Sequence, residues 1–141
     1  MFNIEKITDE IFTSGKTSKL EITLKNIRYI IYLSDSPLDF KADEQYPIID
    51  GYHDNKPAQF IKILESMDKQ IKAKNTPILI MCRGGISRSP TITALYLFYS
   101  HKFKTFDEAL EYVGKKSSLI QINYDLVEFI KKEVIPLMHK K

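Results

Sequence analysis

The stretch from Pro77 to Tyr99 constrains the fold more than any other part of the chain. It begins with a short apolar run, residues 77–81, and ends with a longer one, residues 91–99. Between them lies a polar segment with paired glycines, Cys82-Arg83-Gly84-Gly85-Ile86-Ser87-Arg88-Ser89-Pro90. The first run indicates a buried strand and the second a buried helix. The single cysteine of the chain is therefore predicted at the carboxyl end of a strand, where open α/β sheets bind their ligands.

This loop combines the features of an anion-binding site with a nucleophile at its base. A tight turn before a helix directs backbone N–H groups and the positive end of the helix dipole towards one point. Gly84 and Gly85 allow the backbone to curl around a phosphate-sized ion. Arg88 adds a planar guanidinium that matches two phosphoryl oxygens. The same positive field favours the thiolate of Cys82, which is the nucleophilic form of cysteine, and Ser89 is placed to donate its hydroxyl to that sulfur.

The run resembles the Cys-x5-Arg loop of the protein tyrosine phosphatase superfamily, and its finer pattern, Cys-x2-Gly-x-Ser-Arg-Ser, resembles the compact dual-specificity phosphatases. The matching residues are Cys82, Gly85, Ser87, Arg88 and Ser89. One position departs from the pattern, because the family usually has a histidine before the cysteine and this chain has Met81. The family's histidine helps to hold and acidify the cysteine.

The resemblance implies a two-step phosphoryl transfer in which Cys82 attacks phosphorus and forms a phosphocysteine. Ser89 then eases departure of the thiolate. Since Arg88 and the loop supply the positive charge, no metal and no cofactor are expected. The expected phosphate-binding residues are Arg83, Gly84, Gly85, Ile86, Ser87 and Arg88.

A general acid is needed to protonate the leaving group, and two aspartates are candidates. Asp50 and Asp54 both lie in the loop that follows the segment Tyr46-Pro47-Ile48-Ile49. The family places its acid upstream of the cysteine, after a strand and a Pro-Ile-like stretch, so the resemblance favours Asp50. Asp54 is the alternative acid. In the same loop, His53 is a possible substrate contact and Tyr52 a possible wall of the pocket.

Periodicity and turn residues predict the remaining elements. The overall order resembles the dual-specificity phosphatase fold. We expect one α/β domain over residues 1–141, with a small twisted sheet of about five strands, mostly parallel in its centre, and helices on both faces. The predicted strands are residues 3–6, 10–13, 28–33, 46–49 and 77–81. The first three predicted helices are residues 17–25, 57–74 and 91–99. A fourth helix begins at the capping box at Thr105 and is ended by residues 114–118. A fifth starts near Asn123 and is bent or ended by Pro136, before a solvated tail at Lys140-Lys141. The second helix is predicted to have Asn55 as its N-cap and a buried stripe of Ile61, Leu64, Met67 and Ile71.

Composition narrows the class of protein. A single cysteine excludes an internal disulfide and a cysteine-rich metal site, and it fits a reducing compartment. The net charge of +3 suits anionic substrates without requiring nucleic acid. No apolar run approaches the roughly 20 residues that span a bilayer. We therefore expect a cytoplasmic, soluble monomer that acts on phosphorylated proteins and binds neither nucleic acid nor membrane.

Two other functions stay open at the level of sequence. One is hydrolysis of a non-protein phosphate such as a phosphoinositide or an RNA 5′-phosphate. Families of that kind tend to have lysine or histidine inside the loop, and residues 83–87 contain neither. The other is a catalytically weak phosphate-binding pseudophosphatase, which Met81 favours. A low-molecular-weight tyrosine phosphatase has a similar loop near its N-terminus, with the acid downstream, which is the reverse of the order here.

Overall fold

The computed structural model describes residues 4–116 and 120–138. Three predicted features fall outside these ranges: the beginning of the first strand at Asn3, the end of the fourth helix at residues 117–118, and the tail at Lys140-Lys141. The strands are β1 (Glu5–Lys6), β2 (Ile11–Ser14), β3 (Tyr29–Tyr32), β4 (Glu44–Gln45) and β5 (Ile78–Met81). The helices are α1 (Lys19–Leu24), α2 (Pro57–Lys72), α3 (Arg88–Tyr99), α4 (Phe106–Lys116), α5 (Tyr124–Phe129), a π-helical segment (Ile130–Val134) and α6 (Ile135–Met138).

The sheet has five strands in the order β1-β2-β5-β3-β4. The central strand β5 runs parallel to both β2 and β3, β4 is parallel to β3, and β1 is antiparallel to β2. Ser14 and Tyr32 both lie opposite Met81, so β2, β3 and β5 end at the same level. Cys82 follows directly at that edge, which confirms the predicted fold class and the predicted place of the cysteine.

Side chains of β5 alternate between two apolar layers because successive residues of a strand face opposite sides of the sheet. Ile78 and Ile80 belong to the larger core, which α2, α3, α4 and α5 cover. Leu79 and Met81 belong to a smaller cluster that includes Ile22 of α1. Helix α3 is buried from residue 89 to residue 97, as expected for the central helix.

The predicted strand at residues 46–49 is wrong: the strand is Glu44–Gln45, and the chain after it is irregular. Tyr46 still donates its N–H to Tyr32 O at 2.8 Å, but the next residue is Pro47, which has no N–H to continue the ladder. Ile48 instead donates to Tyr46 O at 2.9 Å and closes a tight turn. The segment that leads to Asp50 is therefore a loop from its start.

The predicted N-cap of α2 is also wrong. The capping position is Lys56, which makes no side-chain cap bond, and Pro57 begins the helix, where its missing N–H costs nothing. Of the predicted buried stripe, Leu64 and Met67 are buried, whereas Ile61 and Ile71 are only partly buried. The other buried positions are Phe60 and Ile63, so the buried face is rotated from the predicted one.

The first and the last helix form where the sequence predicts them. Leu20 and Leu24 have helical spacing in α1 but are 68% and 70% exposed, and Ile22 is the residue that packs inward. Of the two effects predicted for Pro136, ending the helix is excluded, because the helix continues through the π-helical segment to Met138. Leu126, Phe129, Ile130 and Val134 of this helix are all buried.

Candidate active site

Cys82 lies at the base of the loop between β5 and α3, with its side chain 2% exposed. Its N–H donates to Ser14 O at 3.0 Å, so β2 holds the residue in place. Gly85 donates its N–H to Cys82 Sγ at 3.1 Å, and the thiol donates to Ser89 Oγ at 3.3 Å. The Ser89 hydroxyl can also act as the donor in the second bond, because a hydroxyl both donates and accepts.

Gly85 is required by its conformation and by its surroundings. Its φ of +76° lies in the left-handed region, which favours glycine. A Cβ at this position would lie 2.3 Å from the backbone nitrogen of Gly15. The loop therefore packs directly against the chain that leaves β2, and this close approach lets the Gly85 N–H turn towards the sulfur.

Arg88 is the first residue of α3 and is half-buried. Its Nη1 donates to Ile48 O at 3.0 Å, so the guanidinium is anchored to the segment that leads to Asp50. This hydrogen bond holds the guanidinium in position, and the other N–H groups of Arg88 can donate to a bound anion. The positive end of the α3 dipole lies at the same point.

Asp50 is joined to the loop that contains the cysteine. Ser87 Oγ donates to Asp50 Oδ1 at 2.7 Å and accepts the N–H of Asn123 at 3.0 Å. The Asn123 side chain donates to Asp50 O at 2.7 Å. Asn55, which does not cap α2, holds the other side of the acid loop by bonds to Ile49 and to Gly51 O.

Asp50 and the predicted phosphate-binding residues line one open cavity of about 540 Å³. Its lining residues are Lys16, Asp50, Cys82, Arg83, Gly84, Gly85, Ile86, Ser87 and Arg88. Asp54 is exposed, has a φ of +67° and does not line this cavity. Neither does Tyr52 or His53: Tyr52 packs edge-on against Phe129 with ring centroids 5.5 Å apart, and His53 is exposed beside it.

A match to a family of known proteins agrees with this geometry. Residues 12–133 match the model of the dual specificity phosphatase catalytic domain. The chain belongs to the dual specificity phosphatases. Human dual specificity protein phosphatase 4 is 31% identical over 97 residues, which are 67% of this chain and 24% of that protein. The chain thus spans about a quarter of the length of this relative.

Solved structures share the fold of this dual specificity phosphatase domain. Human DUSP28 superposes with a TM-score of 0.80 at 16% identity, over 95% of this chain and 94% of that one. PTPMT1 superposes with a TM-score of 0.78 at 22% identity, over 99% of this chain and 100% of that one.

Within residues 4–116 and 120–138, no group of three or more potential metal-ligating side chains occurs, and no helix is long and apolar enough to cross a membrane.

Met81 occupies the position that is usually histidine in the dual specificity phosphatases. Its side chain is fully buried among Leu79, Tyr32 and Ile22, in the cluster on the opposite side of the sheet from the core that includes Cys82. An apolar side chain completes that layer, whereas a histidine there would need hydrogen-bond partners.

Sequence reasoning missed three residues of the dual specificity phosphatase site. Lys16 lies far from the motif in sequence, so no local pattern points to it. The local pattern at Asn55 and at Asn123 indicates the beginning of a helix and not a contact with the loop that contains Asp50. Asn123 does cap α5, since its side chain accepts the N–H of Asp125 at 2.9 Å, but it also holds Asp50. The one local signal for Asn123 is its own helix-capping motif.

A carboxylate cluster supports the strand that leads into the acid loop. Glu44 of β4 accepts hydrogen bonds from the hydroxyls of Tyr29, Tyr46 and Ser66, the bond from Tyr46 being 2.5 Å long. Burial raises the pKa of Glu44, but these hydrogen bonds outweigh it, so the pKa lies below its ordinary value. Burial and the bond to Glu44 raise the pKa of Tyr29 to about 12. The cluster therefore keeps Glu44 ionised and the tyrosines neutral at physiological pH.

Proposed function

We propose that this domain hydrolyses phosphotyrosine, and also phosphoserine and phosphothreonine, in phosphorylated proteins through a phosphocysteine intermediate. One observation carries the proposal: the sulfur of Cys82 lies at the base of a cavity that also contains Arg88 and Asp50. A nucleophile, an anion-binding loop and a proton donor therefore face the same space, as in-line phosphoryl transfer needs.

In the first step, the thiolate of Cys82 attacks phosphorus and the bond from phosphorus to the leaving oxygen breaks. Asp50 gives its proton to that oxygen, and the phosphoryl group remains on the sulfur. The N–H groups of residues 83–88 and the guanidinium of Arg88 stabilise the equatorial oxygens. Asp50 Oδ1 is occupied by Ser87, which leaves Oδ2 to carry the proton.

In the second step, water attacks the phosphocysteine and the phosphorus–sulfur bond breaks. Asp50, now ionised, takes a proton from the water, and inorganic phosphate leaves. The Ser89 hydroxyl, 3.3 Å from the sulfur, donates to the departing thiolate. This role follows from position, because Ser89 is fully buried and faces the sulfur from the first turn of α3.

No step in this scheme requires a metal or an organic cofactor. Addition of a chelator is therefore expected to leave the rate unchanged, and inhibition by a chelator would argue for a metal mechanism. A free thiol nucleophile works only when it is reduced, which favours a reducing compartment such as the cytoplasm. We further propose that the domain acts as a monomer and binds neither nucleic acid nor membrane.

A substrate panel tests the proposal. Initial rates are measured on phosphotyrosine, phosphoserine and phosphothreonine peptides beside a short-chain phosphoinositide and a 5′-phosphorylated RNA. Highest kcat/KM on the peptides supports a protein phosphatase. Higher values on the lipid or the RNA would reassign the substrate.

The matched variant is Cys82→Ser, assayed on the same panel. It is expected to abolish turnover and still bind a phosphotyrosine peptide, because the anion-binding loop stays intact. Turnover of Cys82→Ser near the wild-type rate would reject the nucleophile. Peptide binding without turnover by the wild-type protein would indicate a pseudophosphatase.

A further inference from the structure

Lys16 is fixed beside the phosphate-binding loop although it is remote from it in sequence. It follows Ser14 and Gly15 at the end of β2, and its N–H donates to Arg83 O at 3.2 Å. Gly15 is the residue whose backbone nitrogen would lie 2.3 Å from a Cβ on Gly85. Two backbone contacts therefore hold the β2 exit against the loop.

The charge of Lys16 has no partner within the described part of the chain. The residue is half-buried and lines the same cavity as Cys82 and Arg88, but it forms no ion pair there. Lys16 also lines an adjoining cavity with Glu21 and Asp39, but it forms an ion pair with neither carboxylate, and Glu21 accepts the Thr17 hydroxyl at 2.6 Å. A lysine that lines an anion-binding cavity and forms no ion pair there favours a further anion.

The sheet order gives this cavity one cationic side and one acidic side. Lys16 follows β2, and Asp50 follows β4, and these strands lie on opposite sides of β5. Arg83 is exposed on the lysine side, and its carbonyl holds Lys16. A substrate that carries a second negative group beside its phosphate is therefore expected to bind in one orientation. The second group then lies on the side of β2 and away from the carboxylate of Asp50.

We propose that Lys16 is a substrate-binding residue that contacts the carboxylate of an acidic residue next to the phosphorylated residue of a phosphoprotein. This inference rests on the proposed protein phosphatase function. The loop N–H groups and Arg88 already bind the transferred phosphoryl group, so the ammonium of Lys16 binds a different anionic group of the substrate. Arg83 is placed to reinforce the same contact.

The test measures kcat/KM on paired phosphotyrosine peptides. In each pair, Glu stands directly before or directly after the phosphotyrosine in one peptide, and Gln replaces it in the other. The proteins are the wild type, Lys16→Gln and the control Lys62→Gln, which removes the same charge from an exposed position on α2. Because partly exposed ion pairs are weak, we expect the wild type to prefer the Glu peptide about two- to fivefold in at least one pair.

In Lys16→Gln this preference is expected to fall towards one, through KM, and in Lys62→Gln it is expected to stay at the wild-type value. The preference should also shrink on going from low to about 0.5 M salt. An equal Glu-to-Gln ratio in the wild type and Lys16→Gln would overturn the inference while peptide hydrolysis still supports the proposed function. Absence of peptide hydrolysis, or a larger Lys16 effect on a phosphoinositide with a second phosphate, would overturn the peptide assignment together with that function.

Discussion

Ser87 Oγ donates a hydrogen bond to Asp50 Oδ1 at 2.7 Å, across 37 residues of sequence. The same hydroxyl accepts the N–H of Asn123. A single serine of the loop between β5 and α3 therefore orients the aspartate that we propose as the general acid. The position of the acid relative to the nucleophile depends on contacts between loops, not on the acid loop alone.

Asp50→Ala is expected to lower kcat about 10²–10⁴-fold on phenyl phosphate, because the leaving phenoxide then departs without a proton. The loss should be much smaller on a dinitrophenyl phosphate, whose leaving group needs little protonation. Asp54→Ala is the control, and its rates are expected to stay near wild type. A larger leaving-group dependence in Asp54→Ala than in Asp50→Ala would reassign the acid.

Ser87→Ala is expected to lower kcat on phenyl phosphate by about two- to tenfold, since the hydrogen bond that orients the protonated Asp50 is lost. KM should change less, and Ser87→Thr, which keeps a hydroxyl, should recover part of the rate. If Ser87 acts through Asp50, its removal should have little further effect in the Asp50→Ala background. Additive losses in the double variant would show that Ser87 acts independently of the acid.

Gly85→Ala is expected to destabilise the fold by about 1–3 kcal/mol, because alanine resists the positive φ and its Cβ would collide with the Gly15 backbone. Displacement of the loop should lower kcat/KM about a hundredfold. Gly84→Ala is the matched control for stability, since a Cβ there would meet only Ile86 Cγ1 at 3.8 Å. Equal unfolding midpoints in urea for the two variants would contradict the assigned role of Gly85.

Glu44→Gln is expected to lower the free energy of unfolding by about 1–2 kcal/mol at pH 7, because an amide cannot replace the carboxylate as acceptor for three hydroxyls. The pKa of Glu44 is lowered in the folded protein, so its contribution is present above the ordinary value of 4.5 and is lost as the pH falls below it.

Urea denaturation at pH 7, 5 and 3 measures this dependence. The gap between wild type and Glu44→Gln should be similar at pH 7 and 5 and should narrow at pH 3. The exposed pair of Glu111 and Lys115 provides a control, since Glu111→Gln should change stability little at any of these pH values. A gap for Glu44→Gln that is as large at pH 3 as at pH 7 would contradict the assigned charge state.

The errors in the predicted elements have local physical causes. The predicted strand at residues 46–49 includes Pro47, whose missing N–H ends the hydrogen-bond ladder with β3 at Tyr46. Asn55 has a side chain that suits an N-cap, but Ile49 and Gly51 compete for it.

The sequence by itself determined the loop from Cys82 to Ser89 and its place between a strand and a helix. Those properties are local, because glycine conformation, backbone N–H groups and the residue order of the motif are set within a few positions of each other. Only the tertiary structure decided which distant side chains join that loop. Lys16 and Asp50 meet it because parallel strands end at one edge, and Asn123 meets it through hydrogen bonds to Ser87 and Asp50. Such contacts depend on the tertiary arrangement of distant segments, which no local pattern specifies.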